Sequence, residues 1–179
     1  MGRSRYKIYE PTYPHFITCT ILHWIPIFTR VETTDIIYES LKYLQKTDNL
    51  KLYAYVILEN HLHLVASSDD IGKSMRKFKA HTVKEILKLL QEKNVTTILE
   101  QLAFYKKAHK KETTYQLWQE GIQPKLIIND KMMIDRINYI HQNPVKRGYI
   151  DDAKYWRYCS ARDYEDMEGL IDIERFFDL

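Results

Sequence analysis

The chain has 179 residues, 45% of them hydrophobic, and a formal net charge of +3, which suits a single domain with a real hydrophobic core. Its two cysteines, Cys19 and Cys159, form no Cys-x-x-Cys motif, so neither a disulfide framework nor a thiolate zinc centre is expected. No apolar run approaches the ~20 residues of a membrane span, and the N-terminal residues lack the apolar core of a signal peptide. We therefore expect a cytoplasmic protein without membrane association, whose mildly basic charge permits a nucleic-acid partner without requiring one.

Hydrophobic patterns along the chain predict a series of strands and helices. Runs rich in Val, Ile and Tyr predict strands, and apolar residues that recur every three or four positions predict helices. The predicted elements are a strand at 15–24, a helix that Thr33 or Thr34 caps and that runs to 46, strands at 50–58 and 61–67, a helix capped by residues 67–70, a helical segment at 95–107, a strand at 115–119 and a helix at 130–142. Pro144 should stop the last helix, because proline lacks the N–H group that a helix interior needs.

This order of elements matches the split β-α-β arrangement of a ferredoxin-like antiparallel sheet. We therefore predict an α+β fold with helices on one face of the sheet and with the second and third strands at its centre. Residues 1–144 form the predicted main domain, which begins with an irregular lead-in at 1–14, and residues 145–179 form a C-terminal extension packed on it.

The motif His61-Leu62-His63 opens the third predicted strand. Residues i and i+2 of a strand point to the same face, so the two imidazoles should project side by side, with Leu62 turned the opposite way. Two neutral imidazoles on a rigid strand can chelate a metal ion. A His-x-His pair alone is a weak signal, and the alternative is a histidine pair on a solvated strand face.

Two basic regions are candidates for nucleic-acid contact. One is the helix after residue 70, which carries several cations beside its apolar stripe, and the other is the aromatic and basic segment 154–164. Such residues can neutralise phosphates and stack on unpaired bases. The alternatives are an ordinary solvated helix face and a packed cover over one edge of the sheet. The candidate DNA-binding residues are Lys73, Arg76, Lys77, Lys79, Lys84, Arg157 and Arg162.

The helix predicted at 130–142 carries a polar line, because Asp135, Tyr139 and Asn143 follow one another at i, i+4 and i+8. A phenol and a carboxamide one turn apart can meet a metal ion that two histidines hold, with the amide oxygen as a third ligand. A phenol with a pKa near 10 is a poor nucleophile at neutral pH, and a nearby cation or base is the usual remedy. The alternative for Tyr139 is a packing residue of an amphipathic helix.

The combination of ENHLHLV with NYIHQNPVKRG resembles the single-tyrosine HUH transposases, in particular the REP-associated tyrosine transposase branch. The resemblance extends over most of the chain, from ITCTILHW through KSMRKFKAHTVKEI and LWQEG to YWRYCSARDY. It implies a ferredoxin-like catalytic domain over 1–144 that includes the tyrosine helix. In that domain His61 and His63 would bind Mg²⁺ or Mn²⁺, Tyr139 would be the nucleophile and Asn143 a further metal ligand. Glu59 departs from the family pattern, since many relatives carry proline at this position.

The function implied by this resemblance is a metal-dependent single-stranded DNA transposase or endonuclease, associated with the nucleoid. It would nick and rejoin DNA at hairpin-forming, palindromic sites through a 5′-phosphotyrosine intermediate. One alternative is a domesticated binder of structured single-stranded DNA that no longer cuts, and another is a metal-dependent hydrolase that uses water. Tyr115 is the reserve candidate for the nucleophile. We favour a monomer over a homodimer, because the C-terminal extension can cover the edge that dimeric relatives use for pairing.

Overall fold

A computed structural model of the chain describes residues 8, 10–121 and 124–177. Most of the predicted lead-in, residues 1–7 and 9, lies outside the described residues. The strands are β1 (His15–Thr20), β2 (Lys51–Ile57), β3 (His61–Ser67) and β4 (Lys125–Leu126), and the helices are α1 (Val31–Thr47), α2 (Ile71–Glu92), α3 (Thr96–Phe104), α4 (Asp130–Lys146) and α5 (Ala161–Tyr164). Among the described residues, no helix is both long enough and apolar enough to cross a membrane.

The four strands form one antiparallel sheet in the order β2-β3-β1-β4. This confirms the predicted α+β class and antiparallel sheet. The strand β3 lies between β2 and β1, so the histidine motif is in mid-sheet as predicted. The expectation that the second strand is also central was wrong, because β1 pairs with β3 along its whole length and leaves β2 at an edge.

Each face of the sheet carries its own hydrophobic cluster. The side chains of Leu62 and Leu64 pack with α1, α2 and α3 on one face. The prediction put the helices on one face, and α4 departs from it by covering the other face. Val65 belongs to the cluster on the opposite face, which α4 and the C-terminal segment cover. The sheet is therefore enclosed on both sides, and α4 lies on the face to which β3 directs its odd-numbered residues.

Three local predictions need correction. The segment 115–119 forms no strand of the sheet: Trp118 makes a single bridge with Ile21 and donates its indole N–H to Thr82 of α2 at 3.0 Å. The segment 115–119 is therefore held by the packing of Trp118 against α2. The fourth strand of the sheet is the short β4. Thr33 and Thr34 lie inside α1, where their hydroxyls donate to backbone carbonyls, so neither caps the helix.

The third correction concerns Pro144, which lies inside α4 and does not end it. Proline removes only one hydrogen bond in the last turn, and the helix continues because the Arg147 N–H donates to the Asn143 carbonyl at 3.2 Å. Asn143 is therefore an internal helical residue rather than a frayed one. At the other end, the Asn129 side chain caps α4 by accepting from the Met132 N–H at 2.8 Å.

The segment after α4 covers the outer edge of β2. Cys159 makes a bridge with Val56, the Ile57 N–H donates to the Tyr158 carbonyl at 2.9 Å, and the Trp156 indole N–H donates to the Ile57 carbonyl at 3.0 Å. These bonds satisfy backbone groups that an open edge strand would expose to other chains. The packed cover that we considered for this segment is therefore what the structure shows.

Ser160 is the polar anchor of this cover. Its fully buried hydroxyl accepts from the Tyr55 N–H at 2.9 Å and lies 3.0 Å from the His141 ring nitrogen Nε2. We expect Ser160→Ala to lower the free energy of unfolding by about 1–3 kcal/mol, because it leaves buried polar groups without a partner. Urea unfolding measures this loss. Thr29→Ala, which removes an exposed hydroxyl, should change stability by about 0.5 kcal/mol or less, and equal losses in both variants would contradict the anchor.

Candidate active site

His61 and His63 lie side by side on the face of β3 that α4 covers. Their ring centroids are 4.8 Å apart, and both side chains are buried. The antiparallel register places Thr18 of β1 opposite His63. The strand geometry thus brings the two imidazoles together as the motif predicted, but under a helix rather than on a solvated face.

Hydrogen bonds orient both rings. The His61 nitrogen Nδ1 lies 2.7 Å from the Asn60 carboxamide oxygen, while the amide nitrogen of the same side chain donates to the Trp24 carbonyl at 3.2 Å. Because a carboxamide oxygen only accepts, Nδ1 of His61 carries the proton and Nε2 keeps its lone pair. The His63 nitrogen Nδ1 is 2.9 Å from the Thr18 hydroxyl, which leaves the other ring nitrogen of His63 outside this bond.

Both histidines are held in the neutral form. The pKa of His61 is lowered to about 4, mainly by burial and to a smaller extent by the nearby Arg147, while Glu59 opposes the shift. Burial also lowers the pKa of His63 to about 3, with smaller contributions from His61 and Arg147. A buried imidazole without an anionic partner avoids the charged form. Both imidazoles are thus uncharged at neutral pH, the state in which a ring nitrogen can bind a metal ion.

The side chain of Tyr139 reaches the histidine pair from α4. Its ring centroid lies 5.4 Å from that of His63 and 5.8 Å from that of Phe16, both in edge-to-face geometry. Phe16 in turn stacks on His63 at 5.4 Å. The side chain of Tyr139 is nevertheless 39% exposed, so its phenol is accessible to a ligand from outside while its ring packs against the site.

Asn143 lies one turn beyond Tyr139 on α4 and is buried. Asp135, which we placed on the same polar line, is exposed and pairs with Lys131 at 2.8 Å, so it does not belong to the site. Two neutral imidazoles, a phenol and a carboxamide are nitrogen and oxygen donors of the kind that Mn²⁺ accepts, with Mg²⁺ depending more on the oxygens. Among the described residues, no cluster of three His, Cys, Asp or Glu side chains is present, and the role of Asn143 as a third metal ligand remains a prediction.

Glu59, the departure from the family motif, forms an ion pair with Arg147 at 2.7 Å. This pair joins the β2–β3 connection to the C-terminal end of α4. The carbonyl of Glu59 also accepts from the Phe28 N–H at 2.9 Å. The glutamate therefore ties the histidine strand to the helix that carries Tyr139, a contact that proline could not make.

The basic residues predicted to bind DNA do not gather around the histidines. The helix α2 packs on the opposite face of the sheet, where Lys77 pairs with Asp48 at 2.6 Å and Lys79 donates to the Gly121 carbonyl at 2.8 Å. Of the other predicted residues, Lys73, Arg76, Lys84 and Arg157 are exposed and Arg162 is partly buried. A direct role in holding DNA remains a prediction for all of them.

The sequence reasoning missed two cations on the site side of the sheet. The guanidinium of Arg136 lies 5.1 Å from the centroid of the Phe16 ring, and Arg147 pairs with Glu59. A signal was available, because Arg136, Tyr139, Asn143 and Arg147 recur at intervals of three and four residues. These intervals place two cations on the same helix face as the predicted nucleophile.

Comparisons with known proteins agree with the sequence motifs. A protein of Haemophilus influenzae named "Putative REP-associated tyrosine transposase" is 27% identical over 111 residues, which are 60% of this chain and 56% of that relative. The chain thus matches little more than half the length of this curated relative. No protein-family model matches the chain.

A solved structure supports the fold. The structure of a REP-associated tyrosine transposase bound to a REP hairpin superposes with a TM-score of 0.65 at 17% identity, over 100% of this chain and 95% of the other. At this identity the likeness shows the fold, including the antiparallel sheet with its helices. Together the two comparisons confirm that this chain resembles the REP-associated tyrosine transposases, as its histidine and tyrosine motifs predicted.

Proposed function

We propose that the chain is a metal-dependent single-stranded DNA transposase or endonuclease that nicks and rejoins DNA at hairpin-forming sites. The observation that carries this proposal is the approach of the Tyr139 ring to within 5.4 Å of the His63 ring. The proposed nucleophile lies on a helix and the neutral histidine pair lies on a strand far away in sequence. The fold brings them together at one place. Covalent catalysis of this kind needs such a juxtaposition.

The proposed metal is Mg²⁺ or Mn²⁺, with His61, His63 and Asn143 as its ligands. When bound, it would supply Lewis-acid polarisation of the scissile phosphate. The hydrogen bonds that His61 makes to Asn60 and His63 makes to Thr18 would keep the imidazoles oriented toward it, as outer partners of metal ligands do. Burial would keep water and protons from competing for the same lone pairs.

In the proposed reaction the Tyr139 hydroxyl loses its proton and its oxygen bonds to phosphorus. The bond between phosphorus and the 3′ oxygen breaks at the same time, and that oxygen takes up a proton to leave as a 3′-OH. The product is a 5′-phosphotyrosine, and attack by a 3′-OH on the same phosphorus reverses the step. Because each bond broken is replaced by a similar one, rejoining requires no ATP. Arg136 and Tyr139 both contact the Phe16 ring, so the guanidinium of Arg136 would add positive charge on this side of the site.

The substrate class follows from the accessible side of the site. The phenol of Tyr139 is 39% exposed, and a phosphate of a flexible single strand can approach it more readily than a phosphate of a stiff duplex. The relative whose fold this chain shares was solved with a REP hairpin. We therefore propose structured single-stranded DNA with hairpins beside the cut as the partner.

The first test uses the nucleophile. With Mn²⁺ and a labelled hairpin DNA, the wild-type protein should form a covalent adduct that denaturing electrophoresis detects, and Tyr139→Phe should form none, because the attacking oxygen is gone. Tyr43→Phe, at an exposed tyrosine on α1, is the control and should retain the adduct. An adduct that persists in Tyr139→Phe and disappears in Tyr115→Phe would move the role to the reserve candidate.

Other outcomes of the same assay separate the alternatives. Products with free ends that still form in Tyr139→Phe would indicate a hydrolase that uses water. Tight hairpin binding without any cleavage, unchanged by Tyr139→Phe or by a chelator, would indicate a domesticated binder. Either result would reject the phosphotyrosine mechanism.

The second test uses pH. Because the pKa values of His61 and His63 are lowered to about 4 and 3, protons compete with a metal only near those values. The affinity for Mn²⁺, measured by electron paramagnetic resonance without DNA, should therefore stay constant from about pH 8 to about pH 5. Histidines with an ordinary pKa would lose the metal as pH falls through about 6.5. Such a loss would contradict the claim that burial lowers the pKa values of both histidines. A His61→Ala, His63→Ala double variant should not bind at any pH.

The third test concerns assembly. The C-terminal segment occupies the outer edge of β2 through backbone bonds at residues 57 and 158, so this edge cannot pair with a second chain. We therefore propose a monomer, and sedimentation should give a mass near 21.6 kDa. A stable dimer would show that pairing uses another surface.

A further inference from the structure

A cavity of about 410 Å³ lies beside the candidate active site and is lined by Leu22, His23, Trp24, Tyr105, Lys107, Gln119 and Glu120. Its connection to the histidine pair is Trp24, whose ring meets that of His61 edge to face with centroids 5.6 Å apart. The cavity and the candidate active site therefore share one wall. None of the roles proposed above uses this cavity.

The turn that forms this wall is strained. The 3-10 turn Leu22–Trp24 follows the end of β1, and its residues His23 and Trp24 have φ values of 53° and 58°. Two successive side-chain-bearing residues in the left-handed region are strained, because the side chain crowds the backbone there. Such strain persists only where surrounding contacts hold it, and it is concentrated at ligand clamps and active sites.

Asn60 is the contact that holds the turn. Its amide nitrogen donates to the Trp24 carbonyl at 3.2 Å, its carbonyl accepts from the Ile21 N–H at 2.8 Å, and its side-chain oxygen accepts from His61. One residue thus sets both the orientation of a proposed metal ligand and the position of the indole. Asn60 therefore links the position of the Trp24 turn to the orientation of the His61 ring.

The strained turn exposes an aromatic surface. The side chain of Trp24 is 54% exposed, which is unusual for a residue that normally buries most of its area. On the other side of the cavity, His23 stacks on Tyr105 with ring centroids 3.7 Å apart and an interplanar angle of 19°. The cavity therefore offers flat faces on which another planar group can stack.

Polar groups complete the lining. Glu120 is held by Lys107 at 3.1 Å, and Gln119 is fixed through its backbone N–H, which donates to the Thr20 carbonyl at 2.8 Å. A carboxamide and a carboxylate can accept and donate in the plane of a ring that stacks on the indole. The ammonium of Lys107 adds a cation at the rim, where its side chain is half exposed.

We propose that this cavity binds one unpaired nucleobase of the single-stranded DNA, next to the phosphate at the histidine pair. Stacking faces, in-plane polar groups and a rim cation are the features by which proteins hold single-stranded bases. The volume is near the lower end of ligand sites, which suits one flat base rather than a protein segment. This inference rests on the proposed function, and it assigns Trp24 as a residue that positions the strand and contributes to sequence choice at the cut.

The experiment measures binding without chemistry. The Tyr139→Phe protein is titrated, in chelator, with a DNA hairpin that has single-stranded flanks and was selected from a random pool by the wild-type protein. Each flank position is then replaced in turn by an abasic site. Loss of one stacked base costs about 1–3 kcal/mol, so one position should weaken binding by roughly five- to hundredfold.

Trp24→Ala in the same background decides the assignment. It should weaken binding of the intact DNA by a similar factor. In this variant the abasic site at the sensitive position should cause no further loss of affinity, because the stacking partner is absent. Trp24→Phe should restore most of the sensitivity, and Tyr43→Ala, at an exposed aromatic on α1 that does not line the cavity, should leave the abasic profile unchanged. With 5-iodouracil at the sensitive position, ultraviolet cross-linking should map to the cavity residues.

The outcomes separate this inference from the proposed function. If the wild-type protein forms the covalent adduct but no flank position couples to Trp24, the base site is rejected and the enzyme stands. If Trp24→Ala removes the effect of one abasic position and no adduct forms, the base site is supported, and the protein binds DNA without cutting it. If Trp24→Ala leaves the abasic profile unchanged and instead alters the sedimentation coefficient, the indole is a protein contact and the inference fails. Failure to bind any hairpin DNA rejects both.

Discussion

Packing of α4 against the β3 face is the contact on which the candidate site depends. It buries His61 and His63, and this burial keeps their pKa values at about 4 and 3. The same packing brings Tyr139 to His63. A single helix position therefore sets both the protonation state of the proposed ligands and the reach of the proposed nucleophile, so a shift of α4 would disturb both at once.

Several contacts keep α4 in that position. Val65 and Ile137 share the hydrophobic cluster between sheet and helix, and the Glu59–Arg147 ion pair joins the helix end to the turn before β3. On its far side, His141 meets the buried Ser160 hydroxyl, and burial lowers its pKa to about 4. Burial thus keeps His141 neutral, as it does His61 and His63, which are the proposed metal ligands.

The C-terminal segment has a structural role that its composition conceals. Its aromatic and basic residues are typical of a surface that binds nucleic acid, yet Trp156 and Cys159 bond to the edge of β2. An exposed aromatic that contacts His61 is Trp24, which comes from the turn after β1. The proposed stacking surface is therefore at the other end of the chain from where composition alone would place it.

The parts of the protein that could be predicted from sequence are those with local periodic signals. Alternation along 61–67 places His61 and His63 together and Leu62 opposite, because side chains of a strand alternate faces. The spacing of Tyr139 and Asn143 similarly follows from the helical repeat. These patterns, with the resemblance they carry, determined the fold class and the candidate residues.

Tertiary structure alone decided which faces meet. Periodicity identifies the apolar stripe of α2 but not the side of the sheet that it covers, so the position of its cations relative to the histidines could not be predicted. The bond between Trp118 and Thr82, the continuation of α4 through Pro144 and the clamp of Asn60 on the Trp24 turn depend on partners distant in sequence. Such contacts have no local signal, because their free energy comes from surfaces that become neighbours only once the chain has folded.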